Sequence, residues 1–247
     1  MTSPINGQAA DIIIPVYNQY SFTRNLIESI YRHTDGAFHI YVIDNASTDE
    51  TVDLHKIFTR NITVIHNQEN RGWCSGTNQG VNLGSNPNVV FMNNEVEVSR
   101  GWLNNLLGFL HTHPLIGAVA PLNSNPNDAH FIDRVRSTLV PQIPNFMTED
   151  LHERNRILKY HFNRAGITVE GMLALFCIVL KRRTISEIGP LNSSVSTGRY
   201  DEDYCRRLRK AGYVLGLSLD TYVIHHPSLA AKTIFDSTDR RVGVGPR

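Results

Sequence analysis

Apolar positions along the chain change period repeatedly, and the changes predict strands alternating with helices. Residues 11–17, Asp-Ile-Ile-Ile-Pro-Val-Tyr, read as a first strand, with Pro15 at its exit because a proline has no N–H to give a central ladder. Phe22, Leu26 and Ile30, with Ile27 and Tyr31 beside them, recur at helical spacing behind Ser21, an expected N-cap. Residues 38–43 are aromatic and β-branched and predict a second strand. It runs into Asp44-Asn45-Ala46-Ser47-Thr48-Asp49, where Thr48 is placed to cap a helix over Val52 and 54–58, and residues 62–65 form a third strand. Three β-α units in succession predict a parallel sheet, the start of a doubly wound α/β fold.

Residues 89–92, Val-Val-Phe-Met, are apolar without alternation, as in a strand covered on both faces. Polarity switches at Asn93, Asn94 and Glu95, at what should be the carboxyl end of that strand, where open α/β sheets place ligands. A turn leaving the sheet explains the same three residues. Upstream, Gly72, Gly76 and Gly80 recur every four residues, one stripe on a helix, for close packing or for a ligand. Neighbouring Asn70, Arg71 and Asn78 add polar groups that packing does not require. The segment lacks the Gly-Lys-Ser/Thr end of a phosphate-binding loop and lies far from the first strand, so it is no dinucleotide fingerprint.

The second half has a different texture. Residues 102–110 predict an amphipathic helix and 116–120 a strand, while 122–146 are rich in Pro and Asn and read as irregular loop. Residues 148–162 read as a helix, and with the loop as the wall over a second substrate. The apolar run 169–180 is too short to span a bilayer and reads as buried core. After a flexible-looking 192–198, residues 199–213 carry acids (Asp201, Glu202, Asp203) at the front of a helix and bases at its end, with Gly212 as C-cap. The helix dipole accounts for much of that pattern. Three acids together should also raise one another's pKa, and a raised carboxylate suits a general base. Two short strands, 214–218 and 221–224, end at His225-His226, which is structural unless a carboxylate elsewhere shares a cation with it.

Composition narrows the class. At 247 residues the chain is long enough for a real core and is read as one domain, 1–247. About 10–121 would form a nucleotide-binding half, 122–227 an acceptor half and 228–247 a flexible tail. Charged residues are 19% and the formal net charge is +1, which leaves no footprint for nucleic acid. Cys74, Cys177 and Cys205 are odd in number and lack zinc spacing, so buried thiols in a reduced compartment are expected. The N-terminus has neither a basic start nor an apolar core, and no run reaches membrane-spanning length. The expectation is a cytoplasmic protein without a transmembrane segment, able to act at the membrane surface.

Six stretches in this order resemble family 2 glycosyltransferases, over about 11–226. They are Pro15-Val16-Tyr17-Asn18, the Asp44–Asp49 string with Asn45, the segment with Asn70, Gly72, Gly76 and Asn78, Asn93-Asn94-Glu95 followed by Gly101-Trp102-Leu103, Tyr200 to Arg207, and Val223-Ile224-His225. The resemblance implies a GT-A fold, a Rossmann-like, mostly parallel sheet flanked by helices with a smaller acceptor-side subregion. It also implies inverting transfer of a sugar from a nucleotide-diphosphate donor to a glycan, lipid-linked or small-molecule acceptor. Pro15, Val16, Tyr17, Asn18, Asp44, Asn45, Asn70, Arg71, Gly72, Asn78, Asn93 and Asn94 would border the donor. Glu95 and His225 would hold Mn²⁺ or Mg²⁺, and Asp201 would be the base, with Glu202 its nearest rival. This chain departs from the family at Glu95 and Asn192, where Asp is usual, at Leu175, where Gly is common, and at Tyr200, in place of the first acid. A sugar-phosphate nucleotidyltransferase and a non-catalytic nucleotide- or glycan-binding module remain alternatives.

Overall fold

The computed structural model describes residues 9–138, 140–195 and 199–226. The expectations for the N-terminal eight residues, for part of the loop 192–198 and for the tail lie outside them. The predicted β-α alternation is present as β1 (Ala10–Val16), α1 (Tyr20–His33), β2 (Phe38–Asp44), a 3-10 turn (Glu50–Asp53), α2 (Leu54–Ile57), β3 (Ile62–His66), α3 (Gly72–Leu83) and β4 (Asn88–Met92). These four strands are parallel, in the order β3-β2-β1-β4. The chain continues as β5 (Val96–Val98), α4 (Trp102–Thr112), β6 (Ile116–Asn123), α5 (Ile132–Thr138), α6 (Leu151–Phe162), β7 (Gly166–Val169), β8 (Cys177–Lys181), α7 (Arg182–Ile188), α8 (Tyr200–Lys210) and β9 (Val214–His225). The sheet extends from β4 through β8, β6 and β9 to β5, with β7 also on β9. β8 is antiparallel to both β4 and β6, whereas β9 is parallel to β6.

Alternating residues of the central strands feed two apolar layers. Ile13, Val89 and Phe91 pack with Tyr204, Cys205 and Leu208 of α8 and Leu158 of α6 on one face. Ile12, Ile14, Val90 and Met92 pack with Leu26, Ile27 and Ile30 of α1 and Trp102 and Leu106 of α4 on the other. Each such aliphatic side chain contributes roughly 1.5–3 kcal/mol on burial, which is why residues 12–14 of β1 and 89–92 of β4 are apolar without alternation. The glycine stripe of α3 serves this packing. A Cβ on Gly80 would lie 2.4 Å from Ile13 Cγ2, and one on Gly76 would lie 3.0 Å from Pro15 Cβ. Gly72, at the front of α3 with φ +77°, has open space around it.

Several local expectations are corrected. Pro15 lies within β1, opposite Ile43 of β2; pairing with β4 stops at Ile13, so no N–H is needed on that side. Ser21 does not cap α1, which starts at Tyr20, whose N–H donates to Asp49 Oδ2 (3.0 Å). Asp49, not Thr48, also caps the 3-10 turn through the Thr51 N–H (3.1 Å), because the Thr48 N–H and hydroxyl are turned to Asn18 Oδ1. The stretch 122–146 is not all loop, since Ile132 and Val135 bury one side of α5. The helix expected from 148 begins at Leu151, where Asp150 Oδ1 accepts the Glu153 N–H (2.7 Å). The run 169–180 is split by a loop carrying exposed Gly171 and Met172. The two strands expected around Asp220 are one, because the buried carboxylate is satisfied within it by the Ser218 and Thr221 hydroxyls and by the Arg164 N–H.

Candidate active site

The carboxyl ends of β1, β2, β4, β6 and β9 and the start of β8 share one pole of the sheet, and the sequence candidates gather there. Two loops form one side and brace each other. The Asn18 N–H donates to Ser47 Oγ and the Thr48 N–H to Asn18 Oδ1, both at 2.7 Å. Asn18, Gln19 and Ala46 are held at positive φ (57°, 65° and 65°), backbone that such residues adopt only when surrounding contacts impose it. Asp44, 1% exposed, accepts from the Ser47 N–H (2.9 Å) and lies 2.8 Å from His66 Nδ1. Asn45 is also buried; its Nδ2 donates to the Gly72 carbonyl (3.3 Å) and its Oδ1 accepts from Asn67 (3.0 Å). Val16 is buried, whereas Tyr17 is 50% exposed at the rim. Asn70 and Arg71 are exposed beside Gly72, with Asn70 Oδ1 accepting the Gly72 N–H (2.9 Å) and Arg71 paired with Glu69 (3.3 Å). Asn78 has its whole amide committed to the Leu191 backbone, at 2.8 and 2.9 Å.

Past β4, the Asn93 N–H donates to the Phe176 carbonyl (2.7 Å) and Asn94 Nδ2 to Thr23 Oγ1 (3.0 Å). β5 then runs antiparallel to β9 with Val96 opposite His225, and the His226 N–H donates to the Glu95 carbonyl (3.0 Å). Val96 and His225, 129 residues apart in the chain, are thus strand neighbours. Of the two histidines, His225 is buried, with its ring stacked on Phe176 at 4.1 Å and 9°, whereas His226 is half-buried near Phe22. His225 Nδ1 lies 2.5 Å from Asp128 Oδ2, so Nδ1–H is directed at that carboxylate and Nε2 points away from it. Nε2 is buried without a hydrogen-bond partner among the described residues.

Asp201 opens α8 facing this pair. Its Oδ1 accepts the Leu175 N–H (3.1 Å), and burial pushes its pKa up to about 6 against that bond, with the charge of Asp128 adding to the rise. The expected mutual repulsion of three acids is not the cause. Glu202 is exposed, and Asp203 is paired with Arg206 (2.6 Å) and Arg207 (2.9 Å). Tyr200 stacks on Trp73 at 4.9 Å and 19°, and burial, followed by the charges of Asp201, Cys74 and Glu95, keeps its phenol protonated. His130, buried near Asp128, accepts the Ala174 N–H on Nε2 (3.1 Å), and burial lowers its pKa to about 4, so it stays neutral. All three cysteines are free and buried.

Asp128, Phe176 and Trp73 had no assigned role on sequence grounds. Asp128 closes an Asn-rich string that reads as loop, and only its acid after three asparagines marked it. For a metal, no group of three or more His, Cys, Asp or Glu side chains among the described residues is arranged to hold one. Of the two residues expected to hold a cation, His225 has its Nε2 buried without a hydrogen-bond partner among the described residues, and Glu95, 5% exposed, stands just before β5.

A mostly parallel sheet flanked by helices, with its polar loops at the carboxyl pole and an antiparallel strand inserted beside β4, is the GT-A architecture. The chain belongs to glycosyl transferase family 2, whose model matches residues 11–188. Among relatives, a pre-mycofactocin glycosyltransferase of Mycobacterium tuberculosis is 25% identical over 206 residues, 81% of this chain and 39% of that one. A PGL/p-HBAD biosynthesis glycosyltransferase of Mycobacterium bovis is 34% identical over 84 residues, 33% of each. The chain therefore spans well under half the length of these relatives. Among solved structures, the mannosyltransferase PcManGT of Pyrobaculum calidifontis, in complex with GDP-Man and Mn²⁺, has a TM-score of 0.64 at 18% identity, covering 97% of this chain and 66% of that one. TarS 1-349 of S. aureus in complex with UDP has a TM-score of 0.58 at 14% identity, covering 87% and 60%. No helix among the described residues is long and apolar enough to cross a membrane.

Proposed function

We propose that this chain transfers a sugar from a nucleotide-diphosphate donor to an acceptor hydroxyl with inversion, and that Asp201 is the base. The observation that carries the reading is a half-buried carboxylate with its pKa near 6, at the pole where GT-A sheets take their ligands. Asp201 accepts the acceptor's proton as that oxygen attacks the anomeric carbon from the face opposite the leaving group. The bond from that carbon to the diphosphate oxygen breaks with its electron pair, and one displacement inverts the centre. A base with a pKa just below neutrality is ionised at pH 7 yet still basic, worth on the order of a hundred- to ten-thousand-fold.

The donor lies across the loops after β1, β2 and β4. Tyr17, Asn70, Arg71 and Gly72 offer exposed groups to it, Pro15, Val16, Asn18, Asn93 and Asn94 shape the floor, and Asp44, Asn45 and Asn78 act mainly as braces. Neighbours of the same fold carry GDP-Man or UDP, which supports a nucleotide-sugar donor. Glu95 and His225 would hold Mn²⁺ or Mg²⁺, which when bound supplies charge stabilisation to the leaving diphosphate. Asp128 holds His225 in the tautomer and ring plane that this requires. The half from 10 to 121 serves the donor and that from 122 to 226 the acceptor, within one domain and in a cytoplasmic setting, including the membrane surface.

The test is product analysis with a panel of nucleotide sugars and acceptors. Release of nucleoside diphosphate with an inverted glycoside is expected from the native chain, and none from Asp201→Asn, which keeps donor affinity. Pyrophosphate release from a nucleoside triphosphate and a sugar phosphate would make it a nucleotidyltransferase. Donor binding without any turnover would make it a binding module. Full activity of Asp201→Asn removes the base assignment.

A further inference from the structure

The opposite pole of the sheet holds a second concavity, about 610 Å³, lined by Pro87, His111, Pro114, Lys181, Arg182 and Arg183. That volume is within the range of small-molecule sites. Its walls come from the start of β4, the end of α4 and the end of β8, where Lys181 lies opposite Asn88. The five residues of β8, four steps from Cys177 to Lys181, carry the strand roughly 13 Å away from the candidate active site.

The lining has basic side chains and no carboxylate. Asp11, the acid next to it, is spent. Its Oδ2 accepts from Arg182 Nη2 (2.6 Å) and the Asn86 N–H (2.9 Å), and its Oδ1 from Asn86 Nδ2 (2.7 Å). The other Arg182 donors go to the Asn86 and Val81 carbonyls, both at 2.7 Å. Lys181 is different. Its stem is buried, the residue being 7% exposed, but its ammonium opens onto the cleft and among the described residues makes no hydrogen bond or ion pair. Burial and the Arg183 charge push its pKa down, and burial, Lys181 and Arg183 do the same to His111. Arg183 is exposed and likewise has no partner among the described residues.

Cationic side chains gathered on one concave surface with no carboxylate among them repel one another, and a bound anion would relieve that repulsion. Lysine supplies a compact point charge, arginine a planar fork, and both suit phosphate oxygens. We infer that this cleft is an anion site in which Lys181 and Arg183, with His111 at the edge, hold a phosphate group. That group is either free phosphate or the phosphodiester of a lipid headgroup; Leu115, 68% exposed, follows Pro114 at the cleft. The inference does not depend on the proposed sugar transfer.

Inorganic phosphate is titrated calorimetrically into the native chain, Lys181→Met, Arg183→Ala and, as control, Lys56→Met, whose lysine is exposed and pairs with Asp53. In parallel, the same proteins are sedimented with phosphatidylglycerol and with phosphatidylcholine vesicles. The expected result is binding by the native chain that falls about tenfold or more in both cleft variants and is unchanged in Lys56→Met. Binding of inorganic phosphate without vesicle retention assigns free phosphate. Retention on phosphatidylglycerol alone assigns the headgroup. Arg183→Ala, a surface change, decides the matter should Lys181→Met not fold. A native chain that binds neither, or cleft variants that bind as well as native, overturns the site. Sugar transfer in Arg183→Ala should be unchanged, which separates this result from failure of the proposed reaction.

Discussion

Asp201→Asn should stabilise the protein while abolishing turnover. In the folded chain, burial and the Asp128 charge lift the Asp201 pKa from 3.8 to about 6, against the pull of the Leu175 N–H. The folded protein therefore keeps a proton that the unfolded chain has lost between pH 4 and 6, so this group's contribution to stability falls as pH rises through that window and is level above it. At 1.36 kcal/mol per pKa unit, the cost of holding the ionised carboxylate at pH 7.5 is about 3 kcal/mol at most. Partial access to solvent lowers the figure, and about 1–3 kcal/mol is the expected gain. Asparagine keeps an oxygen for the Leu175 N–H and removes only the charge. For a chain of this length the gain corresponds to a rise in Tm of roughly 2–10 °C. Thermal unfolding of both proteins from pH 4 to 7.5 should show curves that coincide near pH 4 and separate by pH 6.5. A variant no more stable than the native chain at pH 7.5, or a gap independent of pH, would show that Asp201 is not held against its charge. In the native chain kcat/KM should fall below about pH 6, as the same carboxylate takes up its proton.

Three further outcomes follow from particular contacts. Asp128→Asn should weaken Mn²⁺ binding about 10- to 100-fold, because the Asp128 carboxylate sets the His225 tautomer; an Mn²⁺ titration by electron paramagnetic resonance showing no change refutes that role. Glu95→Ala should abolish the metal dependence of donor binding, read by calorimetry with Mn²⁺ and with a chelator, and a retained dependence would place the metal elsewhere. Gly80→Ala should cost about 1–3 kcal/mol in urea unfolding, because its Cβ would meet Ile13 Cγ2 at 2.4 Å in a closed core; a stabilised variant would mean that β1 yields there.

The chain's own sequence determined what local pattern can carry. The apolar runs at 12–16 and 89–92 announce strands, the second one covered on both faces, and the helical recurrence of Phe22, Leu26 and Ile30 announces a helix between them. Asn93, Asn94, Glu95, Asp201 and His225 were legible as polar residues at the ends of such elements. Periodicity states which face of an element is buried but not which strand lies beside it. Only the tertiary structure decided that β8 enters antiparallel between β4 and β6, where the Asn93 N–H meets the Phe176 carbonyl. It also decided that Asp128 reaches His225 across 97 residues of chain, and that Asp201 is lifted by burial and by Asp128 rather than by the acids beside it in sequence. The reason is one of range. Apolar spacing acts within a few residues, while desolvation and charge act on whatever the fold brings within a few ångströms.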